Sequence, residues 1–135
     1  MIILRRIPMT ALQTGLYELL SAAQTTPVYD DVPENAACPY ITIGAFTCKR
    51  LADKTSDIWD ASLQLHIWSS YNGKAEVNKI ADDITTVLSS AIPDLSGENF
   101  AVLSQEVDFF EAFPEAEFGY HGVITVMTTI QNLGG

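Results

Sequence analysis

The sequence predicts an α+β domain ordered helix-strand-strand-helix-strand-strand, with two helices packed on one face of a mostly antiparallel four-stranded sheet. Three observations carry this. Leucines recur at helical spacing near the N-terminus, a second apolar stripe of helical period runs through residues 75–91, and four other segments alternate with period two. One helix layer on one sheet is the simplest way to bury all of these faces. With 135 residues, 47% of them hydrophobic, the chain has material for a single core, expected to span 1–135 with 1–9 as an N-terminal extension.

Thr10 is the expected cap of the first helix, in which Leu12, Leu16, Leu19 and Leu20 form a stripe up to about Ala23. Gln24-Thr25-Thr26-Pro27 ends it, and Val28-Tyr29 reads as a brief extended piece before the loop YDDVPENAACP. In PYITIGAF, Ile41, Ile43 and Ala45 fall on one face, with Tyr40, Thr42 and Phe46 on the other. Residues 48–57, CKRLADKTSD, break the pattern and read as a long loop holding Lys49, Arg50 and Lys54. Alternation resumes in IWDASLQLHIWS. Trp59, Ala61, Leu63, Leu65 and Ile67 share the buried face, and Asp60, Ser62, Gln64, His66 and Trp68 the open one.

The stretch HIWSSYNGKAEVNKIADDI, residues 66–84, joins that strand to the second helix through Asn72-Gly73. Val77, Ile80, Ala81, Ile84, Val87, Leu88 and Ala91 form its stripe, while Lys74, Asn78, Asp82 and Thr86 take the other side. Pro93 sets its end at Ser90 or Ala91. A second hairpin, FAVLSQEVDFF and FGYHGVITVMTTI, flanks the acidic turn EAFPEAE, residues 111–117. In its last strand Phe118, Tyr120, Ile124, Val126 and Ile130 face one way, and Val123, Thr125, Met127 and Thr129 the other.

Composition excludes several functions. Seventeen acids against seven bases give a net charge of −10, which argues against counterion-release binding to nucleic acid and against docking on an anionic membrane. Cys38 and Cys48 are too few for a disulfide framework. MIILRRIPM is too short for a signal peptide, and no window is apolar enough to span a bilayer, so a reduced, soluble, cytoplasmic protein is expected.

Chemistry is equally sparse. Cys38, Cys48, His66 and His121 are zinc-ligand types, but they lack the two-to-four-residue spacing of compact motifs. Cys48 is a nucleophile only if His66 lies beside it. Asp82 and Asp83 diverge by about 100° on a helix, and Asp30 and Asp31 suit a turn. The glycines form no phosphate-binding fingerprint. No catalytic, metal or cofactor residue is therefore assigned. The aromatics of the open face and its end (Tyr40, Phe46, His66, Trp68 and Tyr71) are instead candidates for a subunit or partner interface.

One ordered set of short motifs is more specific. Tyr29, Asp30, Val32 and Pro33 precede Pro39-Tyr40, then Ile67-Trp68-Ser69, Tyr71 and Gly73, Glu76, Ile80-Ala81, and finally His121-Gly122-Val123. This series, over roughly residues 11–130, resembles the tail-completion or tail-terminator proteins of long-tailed bacteriophages and prophages. The resemblance implies a non-enzymatic virion protein, assembled in the host cytoplasm, that forms a homo-hexameric ring at the head-proximal end of the tail tube. Its implied partners are further copies of itself, the tail tube protein and a head-connector or neck protein. DNA would cross its lumen without specific binding, and no membrane is involved.

A lumen that conducts DNA should repel phosphate. Asp108, Glu111, Glu115 and Glu117, with the basic Lys49, Arg50 and Lys54, are thus candidates for lumen or ring-contact loops. Two rival readings remain: a head-completion or neck connector, and a small host enzyme or ligand-binding module using Asp30, Cys48 and His66.

Overall fold

The computed structural model describes residues 4–52, 55–116 and 119–134. Helix α1 runs Met9–Ala23, strand β1 Val28–Tyr29, β2 Tyr40–Arg50, β3 Asp57–Ser69, α2 Ala75–Ser90, β4 Phe100–Pro114 and β5 Tyr120–Asn132. Each expected helix and strand is present in the expected order. Both helices pack on the sheet face formed by Ala61, Leu63, Leu65 and Ile67 of β3 and Ile124, Val126 and Ile130 of β5.

The sheet has five strands, not four, in the order β1-β2-β3-β5-β4, and it is mixed. Val28 and Tyr29 pair in parallel with Ile41 and Thr42. The Pro27 carbonyl accepts the Ile41 N–H at 2.8 Å, which draws the dipeptide alongside β2. Two residues are too short for period two to show, so the sequence pattern is silent there.

Boundaries move for a related reason. Residues 48–50 continue β2 opposite Ala61, Asp60 and Trp59, so the expected ten-residue loop contracts, and Lys49 and Arg50 belong to a strand. A bulge between Ile43 and Phe46 hides this continuation by reversing the alternation. It also sets Phe46 opposite Leu63, on the helix side rather than with Tyr40 and Thr42. Strand β4 likewise extends through Pro114, with bulges at 102/104 and 107/109, so Glu111 lies in the strand and Asp108 within a bulge. Lys54, Glu117 and Phe118 lie outside the described residues.

Leu12, Leu16 and Leu20 of α1 and Val77, Ile84 and Leu88 of α2 are buried as their stripes require. Thr10 does not cap α1. The helix starts two residues earlier, with Pro8 at the N-cap position, whose carbonyl takes the Leu12 N–H at 2.9 Å. Helix α2 ends at Ser90, and Gln105 from β4 donates to the Leu88 and Ala91 carbonyls, satisfying two terminal acceptors. Its start is tied to β3: the Ser69 hydroxyl donates to Glu76 at 2.6 Å and accepts the Tyr71 N–H. Glu76 also sits favourably in the positive first turn. The abrupt passage through SSYNGK is thus a strand-to-helix joint closed by Ser69 and Glu76.

The segment before α1 is a clasp across the opposite end of the sheet. Asp57, 1% exposed, accepts from the Arg6 backbone N–H, Asn132 Nδ2, Trp59 Nε1 and Arg5 Nη1 at 2.9–3.1 Å. The Arg6 side chain reaches Asn132 Oδ1 and the carbonyls of Glu98 and Asn99, and its guanidinium lies 4.3 Å from the Phe100 ring centre.

Candidate functional site

With the helices on one side, the other sheet face carries the side chains that alternate with the core. Directly opposed residues share a face, so the register places Tyr40 beside Trp68, Trp68 beside His121, and His121 beside Phe113. Thr42, His66, Val123 and Glu111 form the next row. Four strands thereby bring together residues more than seventy positions apart.

The rings at this end are stacked. Trp68 and His121 lie 3.8 Å apart between centroids with planes at 22°, and Phe113 is 4.9 Å from His121. Trp68 Nε1 donates to Thr42 Oγ1 at 3.0 Å. His121 Nδ1 is 2.9 Å from Glu115 Oε1, and its Nε2 is 2.7 Å from His66 Nδ1. A carboxylate only accepts, so His121 Nδ1 presents a proton to Glu115, while the tautomer of each ring sets which of His121 Nε2 and His66 Nδ1 donates to the other. The result is a relay of hydrogen bonds, His66 to His121 to Glu115, laid across β3 and β5.

Gly44, in the β2 bulge, makes room for it: a Cβ there would collide with the His66 ring. Burial, together with the neighbouring His121, holds the His66 pKa below its ordinary 6.5. Unfolded chains therefore bind more protons just below that pH, and stability is lost as pH falls through the folded-state value. Melting temperature should drop between pH 7.5 and 5.5, and His66→Gln should flatten that slope. An unchanged slope would mean His66 does not govern it.

The remaining candidates fall elsewhere. Tyr71 is 56% exposed in the loop after β3, and Phe46, 50% exposed in the middle of β2, is turned to the helix side by the bulge, so neither joins the stack. Lys49 and Arg50 sit at the opposite end of the sheet from Trp68. Glu115 is engaged with His121, while Asp108 and Glu111 stand exposed along the outer strand. The sequence-based reading missed the His66–His121–Glu115 relay. Its signal was available in principle, because pairing the IWS strand end with the HGV strand start sets the two histidines on one face.

Cys48 pairs with Ala61 on the helix side, several rows from His66 on the open side, and burial followed by the Asp57 charge raises its pKa, leaving a thiol. The 2.7 Å contact between the imidazole nitrogens is too close for a shared zinc, whose bonds of about 2 Å need wider ligand separation. The hollow beside Trp68 is shallow and lined by Asp30, Val32, Tyr40, Thr42 and Ile43.

A family model described as "Tail completion protein gp17" matches residues 10–131. The chain belongs to this family of phage tail completion proteins. Its role is therefore structural, as a component of a phage-type tail. Two solved structures share the fold. One, from the virion of a native gene transfer agent particle, has a TM-score of 0.80 at 17% identity, over 91% of this chain and 96% of that one. The other, the gp17 protein of bacteriophage SPP1, has a TM-score of 0.59 at 22% identity, over 93% of each chain. Comparison with curated proteins gave no match. Of the motif residues singled out in the sequence, Trp68 and His121 stack, Tyr40 pairs with Trp68 across the strands and meets Tyr29 edge-on, and Ser69 and Glu76 share one hydrogen bond.

Proposed function

We propose that this chain closes into a ring, a homo-hexamer, at the head-proximal end of the tail tube. There it ends tube polymerisation, docks the head connector, and lets DNA pass through its lumen. Membership of the tail completion family over residues 10–131 carries the reading. The net charge of −10 supports it, since a conduit for a polyanion works best when it does not bind phosphate. Trp68, Tyr40 and their neighbours offer an aromatic surface for a tail or head partner, and Glu111 and Glu115 supply negative charge at the end of the sheet where that surface lies.

Light scattering over a wide concentration range, with and without purified tail tubes, tests this. A six-fold species, or a monomer that caps tube ends, is the expected result. A monomer that ignores tubes and binds head connectors would transfer the chain to the neck. Reversing Glu111 and Glu115 to lysine should impair DNA passage more than ring assembly, and equal loss of both would remove these residues from the lumen.

A further inference from the structure

We infer that copies of this chain join edge to edge, with β4 of one beside residues 43–50 of β2 in the next. This rests on the ring reading above and names the contact that would build the ring.

The sheet ends in two open edges. β4 forms one along its length, and β1 covers β2 only at Ile41 and Thr42, which leaves the rest of β2 as the other. The two edges carry opposite charge. Lys49 and Arg50 are exposed on β2, Glu106 and Asp108 are exposed on β4, and none of the four forms an ion pair among the described residues. Each edge also leaves aromatic surface uncovered: Phe46 is 50% exposed on β2, and Phe109 is 53% exposed on β4.

Charges on edge strands commonly prevent sheets from joining. Here the signs oppose β4–β4 and β2–β2 contacts while favouring β4–β2. A contact between two different surfaces is the kind that closes by rotation into a ring. Strand direction allows it. Every pairing between β2 and β4 across the sheet is antiparallel, so β2 and β4 run in opposite senses, and a neighbour in the same orientation presents β2 antiparallel to β4. Lys49 is level with Ser104 through Asp60 and Thr129. A shift of two residues sets it opposite Glu106, within the regular stretch between the two β4 bulges and on the same open face.

A charge exchange in the full-length chain tests the contact. One variant carries Lys49→Glu and Arg50→Glu, and the other Glu106→Lys and Asp108→Lys. Assembly is read by light scattering and tube capping, and folding by circular dichroism. Each variant alone should keep the wild-type melting temperature and assemble about tenfold more weakly, as like charges then face each other. Mixed one to one, the two should recover wild-type assembly as alternating rings, and a chain carrying all four changes should recover it unmixed. If wild-type chains assemble and the variants assemble equally well, or if mixing restores nothing, the edge contact is wrong and the ring reading stands. Wild-type chains that neither associate nor cap tubes would overturn both.

Discussion

Replacing Asp57 by alanine is expected to destabilise the protein by about 3–5 kcal/mol, the cost of breaking a buried charged group's set of partners. The carboxylate is fully covered and holds two ends of the chain to the start of β3, through Arg6 on one side and Asn132 on the other. Arg5 is a third exposed, so its ion pair contributes the smaller share. Most of the loss comes from the Arg6 N–H, Asn132 and Trp59, which keep buried donors and lose their acceptor. Asp57→Asn should fall between wild type and alanine, because its amide oxygen still accepts while its NH2 faces other donors.

The pH dependence of this effect has a definite sign. Burial works to raise the Asp57 pKa, but the hydrogen bonds from Arg6, Asn132, Trp59 and Arg5 outweigh it and hold the group below its ordinary 3.8. The stabilisation is therefore complete above that value and lost as pH falls through the lower folded-state value. Urea unfolding at pH 7 should show the full difference between wild type and alanine, and below about pH 4 the difference should narrow as the carboxylate is protonated. A difference under about 1 kcal/mol at pH 7 would mean that the N-terminal segment does not clasp the sheet.

Gly122→Leu should cost about 3 kcal/mol, the upper end of what overpacking exacts. Gly122 lies under α2. A Cβ alone would stand 2.7 Å from Val77 Cγ1, 3.2 Å from Phe110 Cε1 and 3.5 Å from Ile67 Cβ, and Val77 is wholly buried. The longer side chain must lift α2 away from β3 and β5 or push Phe110 outward. Gly122→Ala adds one carbon and recovers about 0.5–1 kcal/mol of backbone entropy in a strand, so its net cost should be much smaller. Thermal or urea unfolding checks both. If the leucine variant melts with wild type, α2 does not press on this position. The same close approach gives the glycine of the His-Gly-Val motif a physical reason: the helix-to-sheet distance admits no side chain there.

The local pattern by itself determined the helices, the four long strands and the faces they bury. Leu12, Leu16 and Leu20 repeat with the helix, Ala61 to Ile67 repeat with the strand, and burial of apolar area rewards both periods wherever the elements lie. It also separated Trp68 and His66 from the core, and the ordered motifs pointed to the family. Tertiary structure alone decided three things. A two-residue strand carries too little pattern to be seen and exists because β2 lies beside it. The bulges in β2 and β4 moved Phe46 to the helix side and took Lys49, Arg50 and Glu111 from loops into strands, because one inserted residue reverses every later side chain. Finally, Arg6 with Asp57 and Asn132, and His66 with His121 and Glu115, depend on partners brought together by strand order. No periodicity along the chain encodes which distant hydrogen-bonding group will arrive at a given strand end.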